Sequence, residues 1–432
     1  MIDIKILRSN PEIVAQALVN KGITGVDLEE VIMLDKKRLK LWQEVEGLRA
    51  RRNEISSLMG NQKPAQALID EAKSIKDKLS ILEKEFDEIE TNFSVLFKKI
   101  PNIPTADTPI GHTEEENVVV KQWGSIPSFD FTPKNHYEIA KEKDRIDKER
   151  AWNVSWARFA YLKWNLVKLQ LALMTRVIDT LSDQTVLQWI IDEYKLAVSS
   201  KPFTPIFPPY MIKTAPYDAM DRLEPRDERY KIEGQDLWLQ GSAEHVLGSM
   251  HEKEIFAEEA LPVRYIWYAT SFRKEAGATG KDMEGIIRMH QFDKLEMESF
   301  STAETSHDEH LLFSAIQEYL MQQLQLPYQK LQKCTFDIGK PNAKGSDIEA
   351  RLPGQGKYRE THTADYMTDY QSRRLQTRVR RTNGDLELVH TNDATAFACG
   401  RALVAIIENY QTAAGDVIIP EVLRKWMGVE KI

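Results

Sequence analysis

Phe272-Arg-Lys-Glu, a glycine-punctuated stretch, and Arg288-Met-His-Gln-Phe-Asp-Lys-Leu-Glu296 together set arginine and carboxylate side chains in the types that activating a carboxylic acid with ATP requires. Two β-like runs, 265–273 and 286–296, flank Ala276 to Glu284, where glycine and alternating charges predict a long hairpin loop. Side chains two apart along a strand point the same way, so Arg273 and Glu275 are expected on one face. A cation for a phosphate and an acid for an adenine amine then sit side by side. A second phosphate-binding candidate lies far along the chain. Gly400-Arg401 begins the apolar run Ala402 to Tyr410, and an arginine beside a helix N-terminus can hold a phosphate by a forked contact while the helix dipole assists.

The elements that must position these residues are legible in outline. Leu166 to Leu181 reads as an amphipathic helix, and Phe203 to Ile212 as a strand interrupted by prolines, which belong at an edge or a boundary. Ile418-Ile-Pro-Glu-Val-Leu423 closes the chain. Residues 28–100 announce a separate element. Leu41, Val45, Leu48, Arg52, Ile55 and Met59 step by four and three, as do Leu68, Ala72, Ile75, Leu79, Leu82, Phe86, Ile89, Phe93 and Leu96. With a turn at Gly60 to Pro64 and stops at Pro101 and Pro104, the two seams predict an antiparallel helical hairpin that buries each seam in the other. At about 1.5 Å per residue such an arm is roughly 45 Å long, more than a small core needs. Lysines and arginines over 28–100 number 14, as do aspartates and glutamates, so the arm is neutral overall. Its cations are bunched at Lys36, Lys37, Arg38 and Lys40, and at Arg49, Arg51 and Arg52.

Composition bounds the class. At 432 residues, 42% hydrophobic and 29% charged, the chain is expected to form two or three soluble domains. No run approaches the roughly 18 apolar residues of a membrane span, and the N-terminus lacks a signal-peptide form, so a cytoplasmic protein is expected. Cys334 and Cys399 are too few and too far apart for a disulfide scaffold or a thiolate metal site. His307 and His310 stand at helical spacing with no third ligand nearby, so no zinc is expected. A net charge of −8 argues against a protein coated in nucleic acid but leaves room for a local basic patch.

The string Phe-Arg-x-Glu-Ala-Gly-Ala-x-Gly-x-Asp-x-x-Gly-x-x-Arg-x-His-Gln-Phe-x-Lys-x-Glu over 272–296 resembles motif 2 of the class II aminoacyl-tRNA synthetases, and specifically the bacterial-type seryl-tRNA synthetase family. The helix and strand ending at Pro209 resemble motif 1, the dimer interface, and Gly400-Arg401 resembles motif 3. The resemblance implies an α+β fold: an N-terminal domain, 1–104, carrying an antiparallel two-helix coiled-coil arm that grips tRNA(Ser), and tRNA(Sec) where present, and a catalytic domain, 105–432, built on an antiparallel β-sheet flanked by helices. It further implies a homodimer that uses ATP and Mg²⁺ to join L-serine to tRNA. Arg273, Lys274, Glu275, Phe292, Glu360, Thr363 and Arg401 are then expected at ATP, with Glu360 and Thr363 holding Mg²⁺. Ser242, Ala243, Glu244, Arg273, Glu296 and Thr395 are expected at serine, with Glu244 on its ammonium group. The arm cations Lys36, Lys37, Arg38, Lys40, Arg49, Arg51 and Arg52 are expected on the tRNA backbone.

The chain departs from the family pattern at the amino-acid end alone. Ser242-Ala-Glu stands for Thr-Ala-Glu, Glu360-Thr-His-Thr-Ala-Asp-Tyr366 for Glu-x-Ser-Ser-Cys-Ser-Asn, and Asp393-Ala-Thr395 for Asn-Gly-Ser. Ser242 and Thr395 keep a hydroxyl in place; Asp393 adds a possible charge and His362 a titratable ring. Two alternatives therefore stand beside a serine:tRNA ligase: an adenylating enzyme of shifted amino-acid or acceptor specificity, and an inactive relative with a binding or regulatory role. Retention of Arg273, Glu275, Glu296 and Arg401 speaks against the last.

Overall fold

The computed structural model describes residues 1–59, 65–275 and 285–432, which fall into two compact units, Met1–Ile103 and Pro104–Ile432. The expected turn at Gly60 to Pro64 and the loop from Ala276 to Glu284 lie outside the described residues.

In the first unit, α1 (Leu28–Met59) and α2 (Gln66–Phe97) are 32 residues each, about 48 Å at 1.5 Å per residue. Val45, Ile55, Ile75 and Leu79 are buried between them, with Leu48, Met59, Leu68, Ala72 and Leu82 packed alongside. Ion pairs fix the antiparallel sense: Arg51 with Glu71, Arg49 with Glu83, Lys37 with Glu85 and Arg38 with Glu90 run up one helix and down the other. The expected seam needs one correction. Arg52 is exposed, and the half-buried Arg51 faces α2 instead, 2.8 Å from Glu71. Positions 51 and 52 lie three and four residues after Leu48, on either side of the seam line, and the side toward Glu71 is that of Arg51.

The second unit is built on an eight-stranded sheet. Its strands are β1 (Val118–Trp123), β2 (Thr204–Ile206), β3 (Val263–Phe272), β4 (Gln291–Ser301), β5 (Tyr328–Gln332), β6 (Lys344–Leu352), β7 (Lys357–Thr368) and β8 (His390–Ala398), in the spatial order β1-β5-β6-β7-β8-β4-β3-β2. Every neighbouring pair is antiparallel except β2 with β3. Proline-bearing β2 is an edge strand, as its missing N–H requires. Alternation along β4 divides the sheet's faces. Leu295 and Met297 join the main core with α3 (Asn165–Leu181), α4 (Ser306–Gln323) and α5 (Cys399–Asn409). Lys294, Glu296 and Glu298 point to the opposite face and are buried there as well.

The expected second run of the hairpin, 286–296, also moves: β4 begins at Gln291, and Gly285 to His290 form turns and bends. The first strand ends at Phe272, so Arg273 and Glu275 lie beyond it, and Glu275 has φ 49°. Strand alternation therefore does not set their relation.

Candidate functional site

Past the ends of β3 and β4 the two chains stay in contact. The Arg273 N–H donates to the His290 carbonyl at 2.9 Å, and His290 Nδ1 lies 2.9 Å from the Arg273 carbonyl. His290 thus holds the backbone that presents Arg273. The Arg273 Nε donates to the Gly241 carbonyl at 2.7 Å, and its guanidinium lies 5.5 Å over the Phe292 ring. Glu275 is held by Arg288 at 3.1 Å.

From the far end of the chain, β8 delivers Arg401 into the first turn of α5, where Nη1 lies 3.0 Å from Glu360 and donates to the Glu360 carbonyl at 2.9 Å. Gly400 leaves room for close approach there, since a Cβ would stand 3.1 Å from the Ile286 carbonyl. Against the cost of partial burial, Arg401 and Lys333 hold the Glu360 carboxyl below its ordinary range. One cleft is lined by Arg273, Glu275, Arg288, Phe292, Glu360, Thr363, Thr395 and Arg401. Two guanidinium groups from distant segments therefore face one space, beside an aromatic ring and carboxylates. That arrangement can bind a polyphosphate and a stacked base. Lys274, between Arg273 and Glu275, is exposed, and its ammonium lies 5.8 Å from the Tyr230 ring centre rather than on the cleft.

The cleft reaches Lys294 and Thr395 at its inner end. Ser242, Ala243 and Glu244 precede and begin the short helix Glu244–Leu247 and are buried against the sheet. Lys294 is the hub: its ammonium donates to Ser242 Oγ at 3.0 Å and stands 2.7 Å from Glu296 and 3.8 Å from Glu244. Burial disfavours both charges, yet Lys294 pulls the Glu244 carboxyl below its usual range, helped by His245 and Arg222. Glu296 goes the other way. Burial pushes it up to about 8, Lys294 opposing and Glu244 adding to the rise. Two acids around one ammonium are thus driven apart, one ionised and one holding its proton near neutrality. His362 is fully buried, 4.8 Å from the Phe397 ring centre, with Nδ1 2.8 Å from Thr361 Oγ1, and burial lowers it to about 3. It is a neutral packing residue.

Three functional side chains were not singled out by sequence. Lys294 and Arg288 lie within the quoted motif string, and their partners Ser242 and Glu275 were nominated. Arg222, from the segment after the helix Thr214–Ala219, carries no local signal. Of the seven arm cations, Lys37, Arg38, Arg49 and Arg51 are paired with arm carboxylates. Lys36, Lys40 and Arg52 are exposed and have no ion-pair partner among the described residues.

The chain matches known proteins along its whole length. Residues 1–104 match the seryl-tRNA synthetase N-terminal domain, and residues 229–410 match the tRNA synthetase class II core domain (G, H, P, S and T). The serine--tRNA ligase of Dictyoglomus turgidum is 38% identical, covering 100% of this chain and 99% of its own, and that of Nitrosopumilus maritimus is 36% identical over the full length of both. Among solved structures, seryl-tRNA synthetase from Pyrococcus horikoshii complexed with ATP superposes with a TM-score of 0.87 at 35% identity, covering 100% of this chain and 99% of that one. The cytoplasmic serine-tRNA ligase of Naegleria fowleri in complex with AMP gives 0.83 at 26% identity, over 99% and 96% of the two chains.

Proposed function

The chain belongs to the seryl-tRNA synthetase family, and from that membership we infer that it activates L-serine with ATP and transfers it to tRNA. The observation that carries the chemistry is the meeting of Arg273 and Arg401 around one cleft. A serine carboxylate oxygen attacks the α-phosphorus of ATP, the bond to the bridging oxygen breaks, and pyrophosphate leaves with its electron pair. A ribose hydroxyl of tRNA then attacks the acyl carbon of the adenylate and AMP departs. No protein side chain forms a covalent bond; the task is to bring anions together and to neutralise the charge that spreads over the phosphoryl oxygens.

In this reading Arg273 meets the α-phosphate and Arg401 the γ-phosphate. Phe292 stacks on adenine, and Glu275, steadied by Arg288, accepts from its amine. Ser242, Glu244, Glu296 and Thr395 hold the amino acid, its α-ammonium beside Glu244. Glu360 and Thr363 would hold Mg²⁺, and the fit is chemical: Glu360 offers carboxylate oxygens 48% exposed on the cleft, and Thr363 a hydroxyl, the hard donors this ion prefers. When bound, the ion would neutralise phosphate oxygens.

The arm of α1 and α2 takes the tRNA through its phosphates, with Lys36, Lys40 and Arg52 as those of the seven nominated cations not already paired. A second copy of the chain covers an apolar surface that includes Trp152, Val154, Trp156 and Trp164, exposed by 58 to 78%. Among the described residues no helix is long and apolar enough to cross a membrane, and the cytoplasm, where charged tRNA is used, is its place of work. Amino-acid-dependent exchange of pyrophosphate into ATP, run with serine, threonine, alanine and glycine in turn, tests the reading. Exchange with serine alone is expected; exchange with another amino acid in its place, or with none, overturns it.

A further inference from the structure

Behind the row that carries Thr395 and Glu296 lies a second row of side chains that the reaction above does not use. Asp365 on β7 is the cross-strand partner of Asp393 on β8, and Asp393 is the partner of Glu298 on β4. Asp393 and Glu298 lie two residues from Thr395 and Glu296, on the same faces of their strands. Three carboxylates thus stand side by side across three strands, all buried. Like charges directly opposite one another in a sheet repel, and water is not there to screen them.

Among the described residues, Arg222 is the cation that pairs with the row. Arg222 Nη2 lies 3.3 Å from Asp393 and 3.7 Å from Asp365, and 3.4 Å from the Asn342 side-chain oxygen. Gly345, next in the row, leaves space for Asp365: a Cβ there would stand 3.0 Å from Asp365 Oδ1. The charged groups that act on the row from elsewhere are Glu244 and Glu296 and, on the Asp365 side, Lys333 and Asp347. One guanidinium cannot neutralise three acids. Burial, then Asp393, raises Glu298 well above its usual value; burial, opposed by Arg222 and reinforced by Glu244, does the same to Asp393. Both oxygens of Glu298, which is 0% exposed, and Asp365 Oδ1 lack a hydrogen-bond partner among the described residues. A row of this kind has acceptors to spare for a donor that arrives beside it. Asp365 and Asp393 are also two of the positions at which the sequence departs from the family pattern, which places neutral side chains there, and the fold makes them direct neighbours.

We propose that Arg222 positions this carboxylate row as a specificity device, through which the pocket takes small amino acids whose side chain ends in a hydrogen-bond donor, an ammonium group as well as a hydroxyl. The proposal rests on the adenylating activity inferred above. An ammonium side chain would bring a further cation to a row in which carboxylates outnumber the guanidinium that pairs with them. Arg222 touches neither amino acid nor nucleotide; it acts through Asp365 and Asp393.

Pyrophosphate exchange with L-2,3-diaminopropionate and with L-serine, in the wild type and in R222Q/D365S/D393N, tests this. Wild type is expected to use diaminopropionate with a kcat/KM within about tenfold of serine; a neutral row should lower that ratio by about thirtyfold or more, while the KM for ATP stays within about twofold. R222Q alone, with two of the row's acids left without their cation, should change the ratio of kcat/KM between the two amino acids by about tenfold or more, whereas a merely structural role would leave that ratio unmoved. Should the triple variant fail to fold, D393N carries the same expectation for the ratio. Serine exchange without diaminopropionate exchange in the wild type, or an unchanged ratio in the variants, overturns the proposal and leaves the ligase reading standing. Absence of exchange with either amino acid overturns the ligase reading instead. Calorimetric titration of both amino acids then decides the specificity device: selective loss of diaminopropionate binding in the variants supports it, and equal binding overturns it.

Discussion

Replacing Glu296 by glutamine should make the catalytic unit more stable and far less active, and the gain should depend on pH in a direction the structure dictates. Glu296 is fully buried, beside Lys294 at 2.7 Å, and its carboxyl is pushed from 4.5 to about 8. A raised acid binds its proton more tightly in the native state than in the unfolded chain. Its contribution to stability is therefore fully present below about pH 4.5 and is lost as the pH climbs through about 8. At about 1.4 kcal/mol for each tenfold change in proton affinity the loss approaches 5 kcal/mol as an upper bound, and about 2 to 5 kcal/mol is the range to expect once the site relaxes. Glutamine keeps an oxygen to accept from Lys294 but has nothing to ionise. Near 2.1 cal/mol/K per residue, a unit of about 330 residues shifts its Tm by roughly 1.5 °C per kcal/mol. Thermal unfolding should thus show E296Q about 3 to 7 °C above wild type at pH 8.5 and level with it at pH 5. Serine-dependent exchange should meanwhile fall about 10- to 150-fold in kcat/KM, the loss of a charged hydrogen bond to the substrate. A variant less stable than wild type at pH 8.5, or an increment of equal size at both pH values, would refute the assignment of a buried, proton-holding Glu296.

In wild type the same ionisation should appear in binding: the KM for serine falls as pH rises from 6.5 towards 8.5, the range in which Glu296 gains the charge that meets an ammonium group, and steady-state kinetics of E296Q should lack that dependence. Arg273→Ala should lower exchange by about 10² to 10³ with the unfolding temperature little changed, since the side chain works on developing phosphate charge; retention of full exchange would remove it from the site. Deleting residues 28–100 should spare exchange and abolish tRNA charging. K36E/K40E/R52E should weaken charging about tenfold and reduce its salt dependence, whereas R49Q/R51Q, whose charges already meet arm carboxylates, should change it less than about threefold. Arg264→Met should destabilise by about 3 to 5 kcal/mol in denaturant titration, because Arg264 and Glu309 are a fully buried forked pair and Glu309 would be left alone; R264M/E309L should recover most of the loss.

The residues that meet the nucleotide in the proposed reaction are local in the chain, and for that reason they could be read from it. Arg273, Glu275 and Phe292 lie in one motif, and Arg401 sits at the visible junction of a strand and an apolar helix. The arm was equally legible, since two periodic seams have one economical way to be buried, though Arg51 rather than Arg52 lies on the side of the seam that meets α2. Spacing misled where the chain leaves regular structure: Arg273 and Glu275 share a cleft, but from positions beyond the strand end, with Glu275 in a left-handed conformation that no alternation rule foresees.

What the tertiary structure alone decided is the balance of charge at the amino-acid end. Cross-strand register placed Asp365 beside Asp393 and Asp393 beside Glu298, and a segment 171 residues away from Asp393 supplied Arg222. The sequence showed that acids had replaced neutral side chains, and where. Whether those acids meet each other, meet a cation or face water depends on strand pairing and burial. Burial in turn decides which carboxyls keep their protons, and neither is written in local spacing.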